Sequence, residues 1–252
     1  MFPNLPVIKL PDKRAIKNQY YSNETMEIKA FLFDLDGVLV DTAKYHYLAW
    51  RKLASQLGFE FTEEQNERLK GVSRMASLGI LLEVGGIHVS EEEKIRMAEM
   101  KNNWYVQLIS SMTPDEILPG VSDFLTLTKK MGIKTAICSA SKNTPLILDR
   151  TGLGKWFDSV VDGNRATLAK PNPQVFNMAA DDFGLKPTQC LVFEDAEAGI
   201  EAAINAGMKS IGIGNSEILG KADLVFPDLR NTTPEMILKA LTQNIKNYES
   251  IS

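Results

Sequence analysis

The stretch Phe31–Thr42, FLFDLDGVLVDT, runs from apolar residues into three carboxylates, Asp34, Asp36 and Asp41, with Gly37 between the last two. A short apolar run bounded by polar residues and glycine reads as a strand buried on both faces. Asp34 and Asp36 are two apart, so on extended chain their side chains point the same way. They stand at the carboxyl end of that strand, where open α/β sheets bind ligands. Gly37 lets the chain turn away sharply. Acids so placed either hold a metal, do chemistry, or serve only as turn and cap formers.

Five more runs look like this one: IKTAICS (133–139), SVVDG (159–163), CLVFED (190–195), SIGIG (210–214) and ADLVF (222–226). Helical patterns separate the later ones. PQVFNMAADDFG (173–184) starts after prolines and ends on glycine, and AEAGIEAAINAG (196–207) ends on Gly207, both good helix boundaries. Strand–helix alternation predicts an α/β fold with a doubly wound, Rossmann-like parallel sheet. One interval breaks the rhythm. About a hundred residues lie between Asp34 and Ile133, whereas a crossover needs only a dozen or so. Residues 42–112 are therefore expected to form an inserted α-helical cap domain, with 28–41 and 113–252 as the core. The first cap helix is legible in AKYHYLAWRKLASQLG, where His46, Trp50, Leu53 and Leu57 share a face. Residues 1–27, with Pro3, Pro6 and Pro11 and the cations Lys9, Lys13, Arg14 and Lys17, read as an N-terminal extension.

Composition narrows the function classes. The 252 residues carry a net charge of −4, which argues against nucleic acid as the main partner. No apolar stretch approaches the roughly 18–20 residues of a membrane span. The N-terminus lacks the apolar core of a signal peptide, so a cytoplasmic protein is expected. Cys138 and Cys190 each adjoin an apolar run and read as buried free thiols of a reducing compartment.

Other motifs that place acids or glycines this way do not fit. An EF-hand loop counted from Asp34 needs Glu at its twelfth position, which Tyr45 occupies. A dinucleotide fingerprint from Gly212 needs a third glycine where Glu217 stands, and a P-loop fails because Ala222 follows Lys221. More chemistry does appear at the other strand ends. CLVFED delivers Glu194 and Asp195, SAS (139–141) follows another strand, and Lys170-Pro171 precedes a helix. Acids, a hydroxyl and a lysine on one carboxyl edge suit Mg²⁺ and phosphoryl transfer to an aspartate.

FLFDLDGVLVDT, ICSAS, LAKPNP and VFEDAEAGI, in this order, resemble the four motifs of the haloacid dehalogenase superfamily of phosphotransferases. Within it, DTAKYHYLAW (41–50), LKGVSRMASL (69–78) and ASKN (140–143) resemble the β-phosphoglucomutase family. That resemblance implies a Mg²⁺-dependent mutase acting on a small sugar phosphate through an aspartyl-phosphate, or else a sugar-phosphate phosphatase. A monomer with neither nucleic-acid nor membrane partners is expected. Asp34 would be the nucleophile, Asp36 the general acid and base, and His46 a cap histidine that aligns Asp36. Ser139 and Lys170 would bind the transferring phosphoryl group. Mg²⁺ would be held by Asp34, the Asp36 backbone carbonyl, Glu194 and Asp195. Arg74, with Ser141 and Asn143, would grip the distal phosphate. Lys70, Gly71 and Val72 would line the sugar site with Trp50, Ser77, Lys101 and Ala140, and Thr42 would sit at the hinge. Ala196 departs from the family pattern, in which a hydroxyl often follows the acidic pair.

Overall fold

The computed structural model describes residues 27–69 and 72–249. The expected N-terminal extension to residue 26, and the expected sugar-site residues Lys70 and Gly71, lie outside the described residues. Among those described, β1 (Ala30–Phe33), β2 (Lys134–Cys138), β3 (Ser159–Val161), β4 (Cys190–Glu194), β5 (Lys209–Ile213) and β6 (Leu224–Phe226) form one parallel sheet. The spatial order is β3-β2-β1-β4-β5-β6. These are the six runs expected as strands.

β1 is central and every one of its residues is buried, which explains its unbroken apolar sequence. Its alternation divides two cores. Phe31 and Phe33 face one side, where Phe33 stacks on Phe193 at 4.6 Å between ring centroids. α5 (Val121–Lys130), α6 (Thr144–Thr151) and α9 (Pro234–Glu249) cover that side through Phe124, Ile147 and Ile237. Ala30 and Leu32 face the other, under Phe176 of α7 (Gln174–Phe183) and Ala202 of α8 (Glu197–Asn205). Both faces are thus covered, as a doubly wound sheet requires.

Between β1 and β2 lie α1 (Ala43–Gln56), α2 (Glu63–Glu67), α3 (Arg74–Gly85) and α4 (Glu91–Ile109). They close a third apolar cluster of their own around Trp50, Leu53, Phe61, Leu78 and Leu81. Ser90 opens α4 with a capping box to Glu93. Gly86, at φ +62°, ends α3 in the left-handed region. The outgoing and returning connections run side by side. Asp41 N–H donates to the Glu116 carbonyl at 3.1 Å, and Leu118 N–H to the Leu39 carbonyl at 3.0 Å. The Glu116 carboxylate also accepts from the Tyr45 hydroxyl at 2.6 Å and from Lys44.

Candidate active site

The connection leaving β1 runs toward β2, and the one leaving β4 runs toward β5. A crevice therefore opens between the carboxyl ends of β1 and β4. The two strands pair through Phe33 and Phe193. One residue further, each supplies an acid at the crevice, Asp34 and Glu194. Both are buried. Lys170, in the turn before α7 rather than on the helix itself, reaches in from the other side. Its ammonium donates to Asp34 Oδ1 at 2.5 Å, to Glu194, and to the Cys138 carbonyl at 3.0 Å. Burial alone would strip the proton from Lys170. The two carboxylates outweigh it and hold the ammonium pKa above the ordinary lysine range. Burial and the charge of Asp34 push Glu194 up to about 7, against the pull of Lys170.

Asp34 Oδ2 accepts the backbone N–H of Asp36 at 2.9 Å, so the turn after β1 orients the carboxylate. Thr42 precedes α1 but does not cap it. Its buried hydroxyl donates instead to Asp36 Oδ1. Burial, then the charge of Asp34, raises the Asp36 carboxyl to about 6, opposed by Thr42, Lys170 and Lys101. A carboxyl near neutrality has access to both protonation states, as an acid and base must.

α1 and α4 add a cationic layer. Lys101 Nζ lies 2.9 Å from His46 Nδ1, 4.3 Å above the Trp50 ring and 4.9 Å above that of Tyr105. The imidazole of His46 stacks on Tyr105 at 4.0 Å. Burial holds His46 well below the usual histidine range, and the charges of Lys101 and Arg74 add to the effect. It is therefore neutral and able to accept from the Lys101 ammonium. Arg74, half-buried at the start of α3, is within electrostatic reach of Lys101, His46, Tyr105 and Glu99. Trp50 and Ser77 are buried. Trp50 meets the site through the Lys101 ammonium above its ring.

The loop after β2 is a chain of hydroxyl turns. Ser139 Oγ accepts from Ser141 N–H at 3.1 Å, and Ser141 Oγ from Asn143 N–H at 3.2 Å. Ser139 is buried beside the crevice while Ala140 is exposed. Val72 is half-buried just before α3.

The donor set fits a hard cation, since Asp34, Glu194 and Asp195 offer only oxygen. Two glycines make room for the carboxylates of Asp195 and Glu194. A methyl at Gly37 would overlap the Asp195 carboxylate, and one at Gly199 the Glu194 carboxylate. Among the described residues, no three His, Cys, Asp or Glu side chains are gathered tightly enough to hold an ion as they stand. Asp34 and Glu194 close on Lys170. Glu194 Oε2 accepts the N–H groups of Asp195, at 3.1 Å, and Ala196, at 3.3 Å. These two bonds orient the Glu194 carboxylate just ahead of α8, whose N-cap Ala196 makes no side-chain capping bond.

No motif in the sequence assigns a role to Tyr105, Asn102 or Gly199, although Tyr105 follows Lys101 by four residues on one helix face.

Lys101 gives a pH-dependent prediction. Burial and the charge of Arg74 push it down to about 7 from 10.5. Below pH 7 it is charged in both folded and unfolded chains, and the full cost of burying the charge is present there. That cost fades as pH rises from about 7 toward 10.5. Lys101→Met removes it while keeping the stem against Trp50. Set against lost contacts of the ammonium with the rings, the variant is expected to gain about 3 kcal/mol at pH 6 and markedly less at pH 9.5. Thermal melts at the two pH values check this; equal shifts at both would contradict it.

The haloacid dehalogenase-like hydrolase family matches residues 28–207. The β-phosphoglucomutase of Bacillus subtilis is 41% identical over 212 residues, covering 83% of this chain and 94% of that protein. A phosphorylated carbohydrates phosphatase of Thermotoga maritima is 33% identical over 220 residues, covering 86% and 99%. Among solved structures, β-phosphoglucomutase from Clostridium difficile superimposes with a TM-score of 0.81 at 45% identity, covering 86% of this chain and 99% of that one.

Proposed function

This chain belongs to the haloacid dehalogenase-like hydrolase family. From that premise we propose that it is a phosphosugar mutase that interconverts β-glucose 1-phosphate and glucose 6-phosphate through an aspartyl-phosphate and glucose 1,6-bisphosphate. The observation that carries this reading is the second cationic group. Lys170 serves the acids at the sheet edge, while Lys101 of α4, within electrostatic reach of Asp36, and Arg74 of α3, within reach of Lys101, form a second group on separate helices. A sugar carrying two phosphates needs both. The likeness to the B. subtilis and C. difficile mutases supports it.

In this mechanism an Asp34 oxygen attacks phosphorus of the bisphosphate and the phosphorus–oxygen ester bond breaks. Protonated Asp36 gives its proton to the departing sugar oxygen. In the return step the Asp36 carboxylate takes the proton of the incoming sugar hydroxyl, which accepts the phosphoryl group from Asp34. Lys170 and Ser139 hold the transferring oxygens, and Lys170 remains charged throughout because two acids flank it. Thr42 and the His46–Lys101 pair fix the Asp36 carboxyl. Arg74, Ser141 and Asn143 hold the distal phosphate, and a guanidinium suits it through two parallel hydrogen bonds. Helices α1–α4 act as the cap that excludes water. Mg²⁺, held by Asp34, the Asp36 carbonyl, Glu194 and Asp195, would neutralise charge between nucleophile and phosphoryl group.

Gly199→Ala probes the ligand set without touching a ligand. The added methyl displaces the Glu194 carboxylate. The Mg²⁺ concentration for half-maximal activity is expected to rise by about 10–100-fold, the usual cost of disturbing a ligand's support. A Mg²⁺ titration of initial rates checks it, and an unchanged midpoint would remove Glu194 from the ligand set.

The function itself is tested by one assay with two readouts. The chain is incubated with β-glucose 1-phosphate, Mg²⁺ and a trace of the bisphosphate; glucose 6-phosphate and free phosphate are followed together. Glucose 6-phosphate without matching phosphate is the expected result. Phosphate alone would make the chain a sugar-phosphate phosphatase, the activity named for its T. maritima relative.

A further inference from the structure

Asn143 stands at the N-cap of α6, a position where an asparagine ordinarily caps its own helix. Here its side chain makes no capping bond. Asn143 Nδ2 instead donates to Asn102 Oδ1 of α4 at 3.0 Å. Asn102 directly follows Lys101, so one turn of α4 carries both the buried ammonium on His46 and the amide that meets the core. Both asparagines are only half-buried, so the bond lies at the lip of the site. A second tie lies at the connections to the core, where Glu116 holds Lys44 and Tyr45.

We propose that Asn102 is a positioning residue, a latch that accepts the Asn143 amide and holds α4 closed over Asp34 and Asp36. The inference rests on the mutase reading above. When the latch is closed, α4 keeps Lys101 against His46 and within reach of Asp36, and keeps water from the phosphorylated Asp34. When it is open, water competes with the sugar hydroxyl for the phosphoryl group. The balance is simple: water attacks phosphorus, the bond to Asp34 breaks, and free phosphate leaves with Asp34 regenerated as the carboxylate. The latch therefore sets the partition between mutase and hydrolytic turnover, not the chemistry of either.

The test compares wild type, Asn102→Ala and Asn102→Asp at saturating β-glucose 1-phosphate, with Mg²⁺ and a trace of bisphosphate. The readout is the ratio of phosphate released to glucose 6-phosphate formed, alongside each melting temperature. Asn102→Ala is expected to raise the ratio by about 2–10-fold, the range one neutral hydrogen bond supports. Asn102→Asp keeps the acceptor oxygen and is expected to stay near wild type. Melting temperatures should agree, since the site is half-exposed, so a general loss of stability would not mimic the effect. If wild type forms glucose 6-phosphate and Asn102→Ala leaves the ratio unchanged, or Asn102→Asp leaks as much as alanine, the latch is wrong and the mutase reading stands. If wild type forms no glucose 6-phosphate at all, the mutase reading fails and the latch with it.

Discussion

Asp34→Asn is expected to remove mutase turnover and phosphate release together, by about 10⁴–10⁶-fold, the scale on which loss of a covalent nucleophile is felt. The amide is nearly isosteric with the acid. Its oxygen can still accept from Asp36 N–H or from Lys170, the two partners Asp34 has now. What it lacks is the charge and the nucleophilic oxygen. The fold should hold, because Lys170 keeps Glu194 and the Cys138 carbonyl. Stopped-time assays of both products, with a melting curve of the variant, check this. Phosphate release that survived would mean that water attacks the substrate directly and that no phosphoenzyme forms.

The second large effect concerns Lys170. Its ammonium lies between two buried carboxylates. Removing one partner of such an arrangement leaves charge buried without compensation, at a cost of about 3–5 kcal/mol. Lys170→Met keeps the aliphatic stem over the Phe176 ring, where Nζ now lies 5.1 Å from the centroid, and isolates the charge. Urea unfolding in the presence of EDTA is expected to show that loss, with turnover down by about 10²–10³-fold from the missing phosphoryl donor. Lys170→Met combined with Glu194→Gln should regain part of the stability and none of the activity, because the second change removes one stranded charge. A double variant no more stable than Lys170→Met would show that the two side chains are not coupled.

Much of this arrangement was legible in the sequence because the core signals are local. FLFDLD and CLVFED each put acids at the end of a run that can only be buried, and parallel pairing then brings Asp34 level with Glu194. The helical region was legible as an interval too long for a crossover. Lys101 was harder. EEEKIRMAEMKNN has the charge density of a solvated face, yet Lys101 is only 2% exposed. Its burial depends on Trp50 and His46 arriving from α1, beside Tyr105 one turn further along α4, and no spacing within α4 announces the two that come from α1. Asn102 carries even less local signal, since its partner Asn143 is forty-one positions away on the core. The pairing of residues 39–41 with 116–118 was hidden for the same reason: Glu116 ends a short 3-10 turn and Ile117 follows it, with no strand pattern.

The central claim is that the phosphoryl group passes through Asp34. It is tested most directly by incubating the protein with Mg²⁺ and glucose 1,6-bisphosphate labelled in its phosphates, quenching in acid, and mapping the label by peptide mass. The account predicts one labelled site, an acyl phosphate on Asp34, and predicts that a chase with unlabelled β-glucose 1-phosphate moves the label onto sugar. Turnover with no labelled protein, or label on any residue other than Asp34, would contradict it.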